Sequence, residues 1–468
     1  MENCEPLIWY GTLVLLLTGS FILIPYLRCK GELLSAWSIL LLGIAIFLGF
    51  GCFEAATSQI RSHGLQWFEP TKGEVDWFLA ASTIFLVTLF ISYYYDPVSR
   101  AVAARCLNKW PPISTRLILF VLFVCILMIL AAPVAAGTPF FGMALAKLSQ
   151  KAIVFACVFS FVLWYRNKLN IAWLGVFIVV FAAMSFLAML AGGGRRLILS
   201  VFVGPILVIY YIYVRNWRPT RGMVAVALAT LAMFTVGLMY SSIRHFDRGA
   251  GKRARTAENL AEEVGKIGEK DWMSGFAKRR LFFLSQQAVH YSLITDRFIT
   301  MGFLEPKPLN TLSFLISYPI PRKIWAEKPK PLGGTIGEEV IPHYARSRGV
   351  RWGCGVAGQA RYEGGLLVAA LYAYLAVFGV RLIDDPLIRQ PHNPFLISIL
   401  ATASPHILGW PRGDLGIMSM ETMQAFLFAI ILGIIGRILF GTASVPSDSR
   451  QVSNVSYRRL ASSRYPAR

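Results

Sequence analysis

Residues 113–136 read ISTRLILFVLFVCILMILAAPVAA, and from 117 to 136 there is no charged side chain. Wound as a helix, a run of that length crosses a hydrocarbon core of roughly 30 Å. A membrane β-strand would instead alternate apolar and polar residues over roughly 10 positions, whereas this run is continuous. Comparable blocks recur near 6–27, 33–53, 77–95, 151–165, 171–191, 197–214, 222–242, 364–383, 393–410 and 421–441, which makes 11 predicted spans. The composition agrees: 56% of the 468 residues are hydrophobic and 15% are charged. A soluble domain carries roughly 25% charged residues. The expected class is an all-α polytopic membrane protein, with its termini on opposite faces because the number of spans is odd. The block at 6–27 lacks a basic leader and a small-residue cleavage site, so it is expected to be a retained span and not a signal peptide.

The net charge of +21 would suggest nucleic acid in a soluble protein, but basic residues in short loops also fix membrane orientation. Lys and Arg in one alternating set of short loops, with the tail, number 18, against 7 in the other set. The richer set is expected to be cytoplasmic. The N-terminus is then outside, the C-terminus inside, and the segment between spans 8 and 9 external. That segment, 243–362, divides the chain. Spans 1–8 occupy 1–242, spans 9–11 occupy 363–441, and a basic tail at 442–468 is expected to be disordered. Long loops escape the orientation rule, so the 20 basic against 11 acidic residues of the segment need another cause. An anionic partner at the membrane surface would supply one. Within the segment, 256–300 has helical composition and suits either a helix lying in the headgroup region or packing inside a small external domain. Residues 309–320 are apolar but too short to span, as in a re-entrant or interfacial piece.

Four groups could carry chemistry. Gly192-Gly193-Gly194-Arg195-Arg196 lies at the outer end of the sixth span. Glycines allow close backbone approach and can form an anion-binding concavity, although interfacial arginines also snorkel to lipid headgroups. Pro321-Arg322-Lys323-Ile324-Trp325, followed by Lys328-Pro329-Lys330-Pro331, displays basic side chains on a proline-stiffened backbone. Arginine grips phosphate oxygens in pairs and lysine acts as a point charge. His343, Arg346, Arg348 and Arg351 precede Gly353, Gly355, Gly358, Arg361 and Glu363 at the entry to the ninth span. Of these, His343 and Glu363 could accept a proton. Pro411-Arg412-Gly413-Asp414 joins the last two spans, where Arg412 either pairs with Asp414 or meets an anion.

The chain contains no GxxxxGKS/T loop that would indicate an ATP motor. It shows no spacing of His, Cys and carboxylates typical of a metal centre, and the seven cysteines give neither a disulfide framework nor a zinc site. No cofactor, metal or nucleic acid is therefore expected.

Gly193-Gly194-Arg195-Arg196, the Pro-Arg-x-x-Trp-x-x-Lys-Pro run at 321–329, the glycine-rich approach to a span at 353–365, and Arg412-Gly413 before the last span together resemble the O-antigen polymerases. They also resemble the related oligosaccharide repeat-unit polymerases and ligases of bacterial envelopes. The resemblance covers roughly 190–440 and implies a fold of the membrane-embedded C-type glycosyltransferase kind in the bacterial inner membrane. It implies a metal-independent glycosyltransferase acting on undecaprenyl-diphosphate-linked glycans during O-antigen or exopolysaccharide synthesis. Membrane lipids, a flippase and a chain-length regulator would be its neighbours. On that reading Arg195, Arg322 and Arg348 stabilise the leaving diphosphate, with His343 or Glu363 as base. Arg196, Lys323, Lys328, Arg351, Arg361 and Arg412 would bind the substrate. A transporter or flippase for a lipid-linked oligosaccharide or other anionic solute is the competing expectation; it calls for charges between helices, including the first five spans. A scaffold for an export complex would make the arginines individually dispensable.

Overall fold

The computed structural model describes residues 4–57, 69–106, 110–135, 138, 141–167, 170–190, 194–246, 275–320, 324–340, 353–413 and 415–441. Among these the secondary structure is helical throughout. In chain order the helices are α1 (Glu5–Leu27), α2 (Ala36–Thr57), α3 (Lys72–Tyr95), α4 (Pro97–Cys106), α5 (Thr115–Ala135), α6 (Phe141–Arg166), α7 (Ile171–Leu190) and α8 (Gly194–Ile212). They continue as α9 (Pro219–Phe246), α10 (Gly275–Thr300), α11 (Asn310–Ser317), α12 (Leu332–Val340), α13 (Gly355–Glu363), α14 (Leu366–Arg389), α15 (Pro394–Gly409) and α16 (Leu415–Phe440). Among the described residues nine of these, α1, α2, α3, α5, α6, α7, α8, α14 and α16, are long and apolar enough to cross a membrane. The chain is accordingly a polytopic helical membrane protein. The two other expected spans coincide with α9, whose apolar part is Pro219–Met233, and with the 16-residue α15.

Helix starts are set by local chemistry. Thr71 and Glu74 form a reciprocal capping box at the head of α3, which satisfies two of the backbone donors a helix start leaves open. Asn393 caps α15 through the Phe395 N–H at 3.0 Å, with Pro394 in the first turn. Ser35 caps α2 through Ser38, while the Ala36 and Trp37 N–H groups donate to Asp384 of α14 at 2.7 and 2.9 Å. This carboxylate complements the positive end of the α2 dipole and ties two spans together. Within α2 the turns widen to a π-helical stretch at Ala45–Phe50.

Helix α15 is the centre of the bundle. Every residue except Leu408 is buried, and it packs against α2, α6, α8 and α16. A helix apolar all round belongs in such a core. Its contact with α2 depends on Gly43, where a Cβ would lie 2.2 Å from the Leu408 carbonyl oxygen. Small residues permit this kind of close crossing in a membrane bundle. Farther out, α7 and α1 leave Ile171, Ile178, Val179, Trp9 and Leu16 exposed, as a lipid-facing surface requires.

Polar contacts collect at the two ends of the bundle. One end holds Asp384, the Arg215–Glu32 pair at 2.5 Å with Tyr210 donating to the same carboxylate at 2.9 Å, and Arg381 bonded to the Tyr93 carbonyl. The opposite end holds the heads of α3, α8, α14 and α16. Of the segment expected as a free external region, the described helices are built into this second end. Helix α10 packs against α2 and α13, with Ala288 to Ile294 buried. The side chains at 272–284, on which the headgroup expectation rests, lie outside the described residues.

The glycines in the first turns of α13 serve this docking. Gly355 has φ +63°, and a Cβ there would lie 2.5 Å from the Ala288 carbonyl oxygen; at Gly358 it would lie 2.9 Å from the Ser292 Cα. Ser292 Oγ donates to the Cys354 carbonyl at 2.5 Å and accepts from Gly358 N–H at 3.2 Å. Gly355→Ala should therefore lower stability by more than about 1 kcal/mol, because alanine at positive φ is strained as well as crowded. Gly19→Ala in α1, where nothing lies within 4 Å, should be neutral or stabilising by up to about 1 kcal/mol. Thermal unfolding of the two variants in detergent checks the contrast.

Candidate functional site

Glu363, the last residue of α13, organises the second end of the bundle. Its two oxygens accept from Thr311 N–H at 3.1 Å and Thr311 Oγ at 2.7 Å, and the Tyr372 hydroxyl donates to it as well. Gln359 donates to Thr311 Oγ at 2.6 Å and accepts from the Leu415 N–H at 3.5 Å. One buried carboxylate thus joins α11, α13, α14 and the head of α16. Burial pushes the Glu363 carboxyl above its ordinary value, and the donors from Thr311, Tyr372 and Gln359 pull it partly back. With both oxygens engaged, Glu363 holds the site together from behind.

Beside it, Arg361 pairs with Asp296 at 2.6 Å and lies over the Trp77 ring at 4.8 Å. The Arg361 Nε and Asp296 Oδ1 atoms approach off the N–H axis, so the contact is an ion pair and not an aligned hydrogen bond. Arg297 grips Glu74 with two nitrogens, at 2.6 and 2.9 Å, which fastens α10 to the capping box of α3.

Closer to the bundle axis is a second cluster. Glu421 of α16 accepts from Lys147 at 2.7 Å and also from Lys151, both on α6. The Lys151 side chain is 3% exposed and that of Lys147 is 36% exposed, so one lysine is enclosed and the other opens outward. His406 of α15 is buried, and its Nδ1 has no hydrogen-bond partner among the described residues. It lies in the electrostatic field of Lys151, Arg196, Glu421 and Lys147. Arg196, in the first turn of α8, reaches the end of α15, with its Nη2 3.3 Å from where a Cβ on Gly409 would lie. Arg412 runs along Gly353, with Nε 3.4 Å from a Cβ position there.

The basic loop joins the same end. Lys328 donates to the carbonyls of Tyr318 and Ile320 at 2.6 and 2.9 Å and lies 5.0 Å from the centre of the Tyr318 ring. The Tyr318 hydroxyl accepts from Gln424 at 3.3 Å, one turn along α16 from Glu421. Helix α11 sits on α16 at Gly416, where a Cβ would lie 2.9 Å from Phe314. The ammonium of Lys328 thereby folds its own loop and brings that loop beside the lysine pair.

Of the residues singled out in the sequence, Arg196, Lys328, Arg361, Glu363 and Arg412 are gathered at this one end. Arg195 lies in the first turn of α8 by its backbone; its side chain is outside the described residues. Arg322, Lys323, His343, Arg348 and Arg351, and the Asp414 proposed as a partner for Arg412, also lie outside them. Lys147, Lys151, His406 and Glu421 were missed. The signal for the lysines was their i, i+4 spacing, which puts both on one helix face; charge counting had absorbed them as orientation residues. Among the described residues no three His, Cys, Asp or Glu side chains gather as a metal site. No family model, curated protein or solved structure matches this chain.

The raised value of Glu363 has a definite sign. The folded state holds this proton more tightly than the unfolded chain, so the contribution is fully present below the ordinary 4.5 and is lost as pH rises through the raised value. Glu363→Gln should flatten that part of the pH dependence of thermal unfolding on the alkaline side of 4.5. Glu363→Ala should cost about 1–3 kcal/mol below pH 4.5 by leaving the Thr311 and Tyr372 donors unpartnered, and less as pH rises.

Proposed function

We propose that the chain is a glycosyltransferase of the bacterial inner membrane that polymerises, or transfers, undecaprenyl-diphosphate-linked oligosaccharide repeat units on the outer face during surface polysaccharide synthesis. The observation that carries this reading is the gathering of Arg196, Arg361 and Arg412 with Lys147 and Lys151 at one end of an apolar bundle. The resemblance of the short motifs to repeat-unit polymerases supports it. The reading takes 11 spans, an outer N-terminus and a cytoplasmic C-terminus, and a C-type glycosyltransferase-like fold.

The chemistry follows from charge. An acceptor hydroxyl attacks the anomeric carbon of the lipid-linked sugar, a new C–O bond forms, and the bond to the diphosphate breaks. Negative charge builds on the departing phosphate, where fixed cations in a water-poor site stabilise it strongly. Arg195, Arg196, Arg322 and Arg348 are assigned to that charge, with Lys323, Arg351 and Arg412 on the diphosphate and glycan. The hydroxyl proton goes to a base, for which His343 is the assigned group because the Glu363 oxygens are already engaged. Holding both substrates in the plane of one membrane supplies the proximity.

A second reading, a transporter or flippase of the same lipid-linked anion, is favoured by one observation: Lys151 and Glu421 meet between two spanning helices. Purified protein in nanodiscs, incubated with undecaprenyl-diphosphate-linked repeat units without added metal, separates the readings. Polymerisation predicts a ladder of longer lipid-linked glycans, reduced about 10²-fold or more in Arg196→Ala, Arg322→Ala and Arg348→Ala, the scale of losing one transition-state donor. Binding of the lipid-linked glycan with no ladder would favour transport, or a ligase lacking its acceptor.

A further inference from the structure

Two ammonium groups share one carboxylate at Lys147, Lys151 and Glu421, so the trio carries one positive charge more than it neutralises. Both lysines belong to a spanning helix and the glutamate to another. Charges at such a depth are expensive unless paired and commonly mark a substrate path. Within the electrostatic field of the trio, buried His406 presents an Nδ1 with no hydrogen-bond partner among the described residues. The Gln424 Oε1, one turn from Glu421, is likewise buried with no partner among them. A structural ion pair alone would need one lysine and would not call for orphaned polar atoms around it. Lys147 is 36% exposed while Lys151 is enclosed, so the pair presents one of its two lysines outward.

We propose that Lys147, Lys151 and Glu421 form a counter-ion exchange site for a phosphate or diphosphate oxyanion. Glu421 occupies the lysine pair when the site is empty and yields it when the oxyanion arrives. The exchange keeps the lysines compensated throughout and recovers, for the incoming phosphate, charge-assisted bonds the carboxylate held. The identity of the oxyanion as the diphosphate of a lipid-linked glycan rests on the function proposed above. A phospholipid headgroup offers the same chemistry and is separated by the test.

The site makes a prediction of opposite sign for its two kinds of residue. Removing the resident carboxylate removes a competitor, so Glu421→Gln should bind the oxyanion about tenfold or more tightly than the native chain. Lys151→Met and Lys147→Gln should bind about tenfold or more weakly, the loss of one charge-assisted bond. The full chain would be titrated with farnesyl diphosphate and with inorganic pyrophosphate in phosphatidylcholine nanodiscs. Unliganded thermal unfolding would confirm that each variant is folded. A second arm would compare unfolding in phosphatidylglycerol and phosphatidylcholine nanodiscs. The stated ranking with the soluble diphosphates supports a diphosphate site. The same ranking seen only as protection by phosphatidylglycerol supports the site with a phospholipid headgroup as its anion. Glu421→Gln binding no more tightly than native, in both arms, overturns the proposal and leaves the trio a structural ion pair. Should Lys151→Met fail to fold, the Glu421→Gln comparison still decides. A glycan ladder with a flat ranking would sink this site and spare the polymerase; the ranking without a ladder would do the reverse.

Discussion

Charge in a hydrocarbon surrounding must be compensated on the spot, and that constraint sorts this molecule into an apolar bundle with two polar ends. Helices α3, α8 and α14 each begin at one end and finish at the other. Their starts carry Glu74, Arg196 and Tyr372, while their finishes carry Tyr93, Tyr210 and Asp384. The two ends solve the constraint differently. At the Asp384 end, carboxylates meet backbone donors and single cations, as in Ala36 and Trp37 on Asp384 or Arg215 on Glu32. These contacts close the end and fix the register of the spans. At the Glu363 end two lysines share the Glu421 carboxylate, and among the described residues the buried His406 Nδ1 and Gln424 Oε1 have no hydrogen-bond partner. On the function proposed above, this is the end that receives negative charge.

The buried α15 supports this arrangement. It carries His406 and leads through Gly409 into Arg412, so its packing against α2, α6, α8 and α16 sets the positions of both polar groups at once. The chain from Lys328 through Tyr318 to Gln424 adds the basic loop to the same assembly. The Glu363 hub does so for α11 and α13. Rigid support behind, with cations in front, is what electrostatic stabilisation of a departing phosphate demands.

Much of the fold could be read from the sequence because a spanning helix announces itself by length and hydropathy alone. The blocks at 113–136 and 171–191 correspond closely to α5 and α7. Arg196, Arg361, Glu363 and Arg412 could be placed together because alternating spans return the chain to the same end. The role of Glu363 could not be read, since its partners Thr311 and Tyr372 are known only once α11 is docked. In the sequence Gly355 and Gly358 were part of a glycine-rich approach to a span; in the fold they serve close packing against Ala288 and Ser292. Lys151 was hidden for a related reason: a lysine near the start of a span has the same appearance whether it faces headgroups or a glutamate 270 residues away.

The most direct test is a cryo-electron microscopy map of the protein in nanodiscs with a bound undecaprenyl-diphosphate-linked glycan. Diphosphate density at the Glu363 end, between Arg196 and the Lys147–Lys151 pair, is the result this account predicts. Density at the Asp384 end beside Arg381, or on the outer face of α7 among lipid, would contradict it.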